Sequence, residues 1–250
     1  VVRAGFGELL LHQQVAKPGV MAEIAARCRV AQVPSDQVIA RDYDGDGRTD
    51  PAIFRKGSLA TDPTTFWIKR STTDSDLVIQ WGVTGNGTTS FDTPVVADYD
   101  GDGKSDVAVY RFGISPANTF IILRSSDSAV TYRQWGNFNT DFVLPGDYDG
   151  DGKADYAVGR TGAVSTSPMV WWILQSSNGQ PRIEQFGISS DLPAQGDYDG
   201  DGRTDLAIYR RGATASSQSH FWIRQSFDST TLVRGWGLQA DFAVNTFDTR

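Results

Sequence analysis

Short runs of alternating apolar and polar residues recur along the chain in the same order four times. The segments P-A-I-F-R, V-A-V-Y-R, Y-A-V-G-R and L-A-I-Y-R end at Arg55, Arg111, Arg160 and Arg210. Each is followed by a second run: F-W-I-K-R-S from Phe66, F-I-I-L-R-S from Phe120, W-W-I-L-Q-S from Trp171 and F-W-I-R-Q-S from Phe221. Alternation with β-branched and aromatic side chains predicts strands rather than helices. A later strand closes every unit at Trp81-Gly82, Trp135-Gly136, Phe186-Gly187 and Trp236-Gly237. Its aromatic always lies ten residues past the Ser that ends the preceding run, which predicts a hairpin of constant length. In the second unit the four predicted strands are 94–97, 107–111, 119–124 and 131–135.

Between the first and second strand of each unit stands D-Y-D-G-D-G-(R/K)-x-D, beginning at Asp42, Asp98, Asp147 and Asp197 at intervals of 56, 49 and 50 residues. Carboxylates at loop positions 1, 3, 5 and 9 and the carbonyl at position 7 are oxygen donors of the kind that suits a hard cation of calcium size. The candidate ligands are Asp42, Asp44, Asp46, Arg48 (through its carbonyl) and Asp50; then Asp98, Asp100, Asp102, Lys104 and Asp106. The third and fourth sets are Asp147, Asp149, Asp151, Lys153 and Asp155, and Asp197, Asp199, Asp201, Arg203 and Asp205. Like charges packed in one short loop repel unless a cation neutralises them. About four structural Ca2+ ions are therefore expected, with Mg2+ disfavoured because its small octahedral shell accommodates so many carboxylates poorly. The helix-loop-helix calcium motif is excluded: position 12 is Ile53, Val109, Val158 or Ile208 instead of Glu, and a strand follows the loop.

Four antiparallel strands about every 50 residues, each set with a recurrent aromatic, are the signature of propeller blades. The expected fold is all-β: one propeller of five four-stranded blades, with N- and C-terminal strands sharing the closing blade. Residues 37–92, 93–141, 142–191 and 192–240 would form four blades, 1–36 the outer part of the closing blade and 241–250 its inner strand. That expectation rests on D-F-A-V-N-T-F-D near the C-terminus resembling a first strand, and on C-R-V-A-Q-V-P-S-D-Q-V-I-A-R matching the passage before each loop. A four-bladed ring with a helical N-terminal extension is the alternative, since Val20, Ile24 and Cys28 share one helical face. A larger ring completed by further sequence is another.

The D-x-D-G-D-G-x-x-D loop, the strand ending in Arg and the W-G or F-G pair together resemble the FG-GAP/VCBS repeat of bacterial surface and secreted proteins and of integrin α-subunit propellers. The resemblance runs from about Gln37 to Arg250. It implies that each calcium loop joins the innermost strand of a blade to the second. Integrin propellers usually have seven blades, so the length here departs from that relative. Some calcium-loaded fungal lectin propellers are similar to this repeat and bind sugars between blades, which implies a lectin-like function. The integrin precedent implies the alternative, a non-enzymatic protein-adhesion or assembly scaffold.

Charge changes the picture only modestly. The chain of 250 residues has a formal net charge of -7, but the loops hold 16 of its 30 acidic residues. Four bound Ca2+ would add +8, leaving about +1, so the loaded protein is not strongly acidic. No basic run exceeds two or three residues, and no nucleic-acid partner is expected. No transmembrane stretch and no signal peptide in the first residues is evident, and an opening at Val1 suggests an excised segment. The single Cys28 cannot form an internal disulfide. Weak calcium sites fill where calcium is abundant, so a secreted, cell-surface or periplasmic location is expected.

The recurring carboxylates read as scaffold, because a glycosidase sets two acids with different protonation behaviour in unique positions. His12 and His220 lack a repeated Ser or Cys partner, and no catalytic residue is expected. Candidate ligand-binding residues are Trp67, Trp172 and Trp222 with Arg55, Arg111, Arg160 and Arg210. The arginines could bind an anion or glycan, or pair with neighbouring acidic loops. Trp81, Trp135, Phe186 and Trp236 are expected mainly to fill the gaps between sheets. An insertion at 82–93 breaks the symmetry of the repeat and would suit a single protein contact. The expected partner is thus a glycan or a cell-surface protein.

Overall fold

A computed structural model describes residues 36–85, 91–113, 118–137 and 141–241. They form sixteen strands in four antiparallel four-stranded sheets, the blades of a β-propeller. Sheet 1 contains β1 (Gln37–Val38), β2 (Ala52–Arg55), β3 (Pro63–Lys69) and β4 (Asp76–Val83); sheet 2 contains β5 (Phe91–Pro94), β6 (Val107–Phe112), β7 (Thr119–Leu123) and β8 (Val130–Gln134). Sheet 3 contains β9 (Asp141–Val143), β10 (Tyr156–Arg160), β11 (Pro168–Leu174) and β12 (Pro181–Ile188); sheet 4 contains β13 (Leu192–Pro193), β14 (Leu206–Arg210), β15 (Gln218–Arg224) and β16 (Thr231–Leu238). Within every sheet the strands lie side by side in chain order.

This corrects the five-bladed expectation. Among the described residues the propeller has four blades, not five, and each sheet is completed by one continuous stretch of chain with no strand lent from the opposite end. Residues 1–35 and 242–250, which were to supply nearly all of the closing blade, lie outside the described residues, as does the alternative N-terminal helix. The physical reason for the error is the first strand itself. It is only two residues long in β1 and β13, so likeness to it carries little information. The features that build a blade here are the acidic loop and the buried strands after it, and 1–35 carries no copy of that loop.

Alternation sorts the side chains onto two faces, and successive sheets bury those faces against each other. Phe54, Phe66 and Ile68 of sheet 1 meet Val107, Val109 and Ile121 of sheet 2. Tyr110, Phe120 and Ile122 then meet Val158, with Tyr156 and Trp172 packed beside them, and Trp171, Ile173 and Met169 meet Leu206 and Ile208. An edge-to-face contact tightens the junction of sheets 2 and 3, Phe120 on Tyr156 at 5.3 Å, while Phe54 on Phe66 at 5.1 Å and Tyr110 on Phe120 at 4.8 Å stiffen the sheets themselves. The outermost strands are the wettest, with β12 alternating between exposed and half-buried along most of its length.

The aromatic-Gly pair has two duties. The Trp81 indole N–H donates to the Ile121 carbonyl of the next sheet at 3.2 Å, and Trp135 donates likewise to the Trp172 carbonyl at 3.1 Å. The glycine after it turns with positive φ, +90° at Gly82, where a Cβ would stand 2.7 Å from an Asp92 carboxylate oxygen. That turn points the Val83 N–H at Asp92, the first-strand residue of the next blade, at 2.7 Å.

Phe120 is fully buried at the junction of sheets 2 and 3. Phe120→Ala should cost about 3–5 kcal/mol of unfolding free energy by denaturant titration. Val130→Ala, on the partly exposed outer strand of the same sheet, should cost a small fraction of that. Equal losses would show that the junction does not hold the blades together.

Candidate metal centres and inter-blade grooves

Each acidic loop is first organised by its own backbone. Asp42 at position 1 accepts hydrogen bonds from the Gly45 N–H at 2.6 Å and the Gly47 N–H at 2.8 Å, and Asp98, Asp147 and Asp197 repeat the pair on their own loops. The tyrosine at position 2 is a clamp: the Tyr43, Tyr99, Tyr148 and Tyr198 hydroxyls donate to the carbonyls of Ile39, Val95, Leu144 and Ala194, four residues earlier. Its backbone N–H donates to the position-9 carboxylate at 2.9 Å in all four blades.

That carboxylate reaches further. The second oxygen of Asp50, Asp106, Asp155 and Asp205 accepts the N–H of Ser71, Ser125, Ser176 and Ser226, where the third strand turns into the fourth. The acidic loop and the outer hairpin therefore stand at one end of each blade. All four position-9 residues have no exposed surface.

Carboxylates at positions 1, 3 and 9 converge in every blade. Ligand atoms of Asp42, Asp44 and Asp50 lie within 4.8 Å of one another, as do those of Asp98, Asp100 and Asp106, of Asp147, Asp149 and Asp155, and of Asp197, Asp199 and Asp205. Position 5 is not part of these groups. Asp46, Asp151 and Asp201 accept the hydroxyls of Ser71, Ser176 and Ser226, while Asp102, like the other three, accepts the N–H of position 7. At position 7 the side chains reach sideways: Lys104 lies across Gly45, Lys153 across Gly101 and Arg203 across Gly150 of the preceding loop. The loops are also joined through backbone, with Ser105, Ala154 and Thr204 N–H donating to the carbonyls of Asp42, Asp98 and Asp147 at 2.6–2.7 Å.

These groups fit a cation. Asp44 Oδ1 and Asp149 Oδ1 are buried and accept no hydrogen bond, which is costly for a carboxylate oxygen unless a positive charge sits beside it. An all-oxygen donor set suits a hard ion. The electrostatics agree: burial raises the pKa of Asp106 and Asp205 to about 6 and of Asp155 to about 7, and repulsion from Asp100, Asp199 and Asp149 adds to it, against the lowering effect of the serine and tyrosine N–H bonds. Asp50 is shifted upward for the same chief reason.

The predicted ligand-binding residues lie away from these loops. Every strand-ending arginine forms a two-point pair with an aspartate 19 residues earlier: Arg55 with Asp36, Arg111 with Asp92, Arg160 with Asp141 and Arg210 with Asp191, all at 2.7–3.0 Å. The arginines thus pair with carboxylates in or just before the first strand and not with the acidic loops. Sequence reasoning missed these four aspartates, although their constant interval before each arginine was a usable signal. Arg160 and Arg210 also stand over the Trp172 and Trp222 rings, at 5.1 and 5.0 Å. Trp67, Trp172 and Trp222 are half-buried, and their indole nitrogens are enclosed without a hydrogen-bond partner. His220 lies beside Arg210 across the strand pair; His12 lies outside the described residues.

A carboxylate raised in the native state holds a proton that the unfolded chain has already released. Without metal, stability should therefore fall as pH rises from about 4 to about 7, the span between the ordinary value and those of Asp106, Asp155 and Asp205. Melting temperatures in chelator across that span should show the decline, and Asp155→Asn should flatten it. Metal affinity should rise over the same span, because binding displaces those protons.

Residues 147–208 match the family model described as an FG-GAP-like repeat, which covers the acidic loop and second strand of blade 3 through those of blade 4. No curated protein matches the chain. The propeller therefore carries an FG-GAP-type repeat, with four acidic clusters able to hold a metal ion.

Proposed function

We propose that the protein is a recognition module stabilised by about four Ca2+ ions, and that its ligand is carbohydrate. The ions belong to the frame. Their carboxylates are tied to loop backbone and to the outer hairpin, so neutralising them strengthens a fastener within each blade. Calcium is favoured over magnesium because three carboxylates and nearby carbonyls make a large, irregular oxygen shell. A secreted, cell-surface or periplasmic setting follows from such sites, since calcium is plentiful there.

The observation that carries the carbohydrate reading is the row of guanidinium groups along the grooves. Each is held in one orientation by a buried carboxylate, its charge is matched, and about a quarter to a third of its side chain is exposed, reaching 38% at Arg210. Rigid donors beside aromatic or apolar strand surface suit a ring that carries hydroxyls on its edge and C–H groups on its face. A second reading, adhesion to a protein, is favoured by sheet 4. There Trp236 is 54% exposed and Leu238 is 48% exposed, forming an apolar outer strand where Trp81 and Trp135 are packed against the next sheet.

Chelation should lower the melting temperature markedly, and added Ca2+ should restore it better than equal Mg2+. An unchanged melting temperature would sink the fastener role. Calcium-loaded protein should bind a small number of structures on a diverse glycan array, competed by free sugar. Silence there, with saturable binding to a protein that Trp236→Ser abolishes, would favour adhesion instead.

A further inference from the structure

One groove differs from the others at two paired positions. At one register position β3 places Trp67 opposite Val78 of β4, β11 places Trp172 opposite Ile183, and β15 places Trp222 opposite Val233, with Trp172 and Trp222 packed against the preceding sheet. In sheet 2 the order is reversed: Ile121 takes the inner place and Tyr132 the outer one. The aromatic ring has moved from the third strand to the fourth, where it is 67% exposed. The place that Trp172 and Trp222 take beside Arg160 and Arg210 is held in sheet 2 by Ile121.

The exchange leaves a cleft of about 540 Å3, lined by Arg111, Thr119, Ile121, Tyr132, Arg133 and Gln134. Its floor is the apolar Ile121 side chain, which packs in the core between sheets 1 and 2. Its walls offer a phenol ring, a hydroxyl, an amide and a guanidinium. Arg111 uses Nε and Nη2 on Asp92, leaving Nη1 for a ligand, and Asp92 is fully buried, so the guanidinium is held in place and its charge is balanced. Arg133 directs its guanidinium to the opposite face, over the Tyr156 ring at 5.4 Å.

We infer that this cleft is the primary ligand site, and that it takes a single hexose ring at the end of a glycan. The inference rests on the carbohydrate reading and adds its location. Tyr132 supplies a face for the sugar C–H groups, while Thr119, Gln134 and Arg111 supply partners for hydroxyls. A strongly charged anion is not required, because the Arg111 guanidinium is already neutralised by Asp92 and Arg133 turns its own toward the Tyr156 ring. In sheets 3 and 4 the chain's own indole occupies the corresponding place beside the arginine.

The test is an isotope-labelled, calcium-loaded protein titrated with millimolar D-glucose, D-galactose, N-acetyl-D-glucosamine, L-fucose and D-glucuronic acid, followed by backbone amide shifts. At least one sugar should move Thr119, Ile121, Tyr132 and Gln134 together. Tyr132→Ala, at an exposed position, should weaken it by about tenfold or more without lowering the melting temperature. Ile121→Trp, which restores the ring found in the other blades, should abolish it; Tyr132→Ala decides alone if that variant fails to fold. Sugar binding with shifts centred on Trp172 or Trp222, or unaffected by Tyr132→Ala, would overturn the location and leave the carbohydrate reading standing. No shift with any sugar, together with a silent glycan array, would overturn both.

Discussion

The structure depends on one buried carboxylate per blade, at position 9 of the acidic loop. Asp50 has no exposed surface; one oxygen accepts the Tyr43 N–H, the other accepts the Ser71 N–H, and its backbone pairs with Arg41. A single residue thus fastens the two ends of the loop to each other and to the turn between the third and fourth strands. Asp106, Asp155 and Asp205 repeat the arrangement. Two backbone N–H bonds offset part of the cost of burying the charge, but the position-1 and position-3 carboxylates stand close by and add repulsion. A cation held there would relieve that repulsion, and the loop, long and rich in glycine, would then act as a rigid corner.

The same corners connect blade to blade. The N–H that follows position 7 of one loop donates to the position-1 carbonyl of the loop before it, at three successive junctions. At the other end of the sheets, the aromatic-Gly turn hands its next N–H to the aspartate that holds the following blade's arginine, as Val83 does with Asp92 and Ile188 with Asp191. Between these two ends lies the apolar packing, directional only through its rings. Polar links at both ends set the angle between sheets, and the apolar middle supplies most of the stabilisation.

Much of this was legible because it is local. The strands follow from alternation, and the acidic clusters able to hold a cation follow from the spacing of their carboxylates. At position 5 the spacing matches a ligand but does not reveal a further contact, in which Asp46 accepts the Ser71 hydroxyl across 25 residues. The Arg111–Asp92 pair spans 19 residues and was hidden for the same reason, although its fourfold recurrence could have exposed it. Blade number was the poorest inference. Counting blades depends on recognising the inner strand, and a strand as short as Leu192–Pro193 has almost no sequence character of its own.

Repetition itself separates frame from function. A residue kept in all four blades is already engaged: the tyrosine hydroxyl in a clamp, the position-9 aspartate in a corner, the arginine on its aspartate. Positions that vary carry no such common duty. Phe186 stands where other blades have tryptophan; lacking an indole N–H, it instead receives the Arg224 guanidinium at 4.7 Å, so that exchange is compensated from within. The Ile121 and Tyr132 exchange is different, because it opens space beside a pre-set donor and places a ring at its rim. The exposed phenol ring leaves more apolar surface in water than Val78, Ile183 and Val233 do at the same place in the other blades. Its position is better understood as one side of a contact whose other side comes from solution.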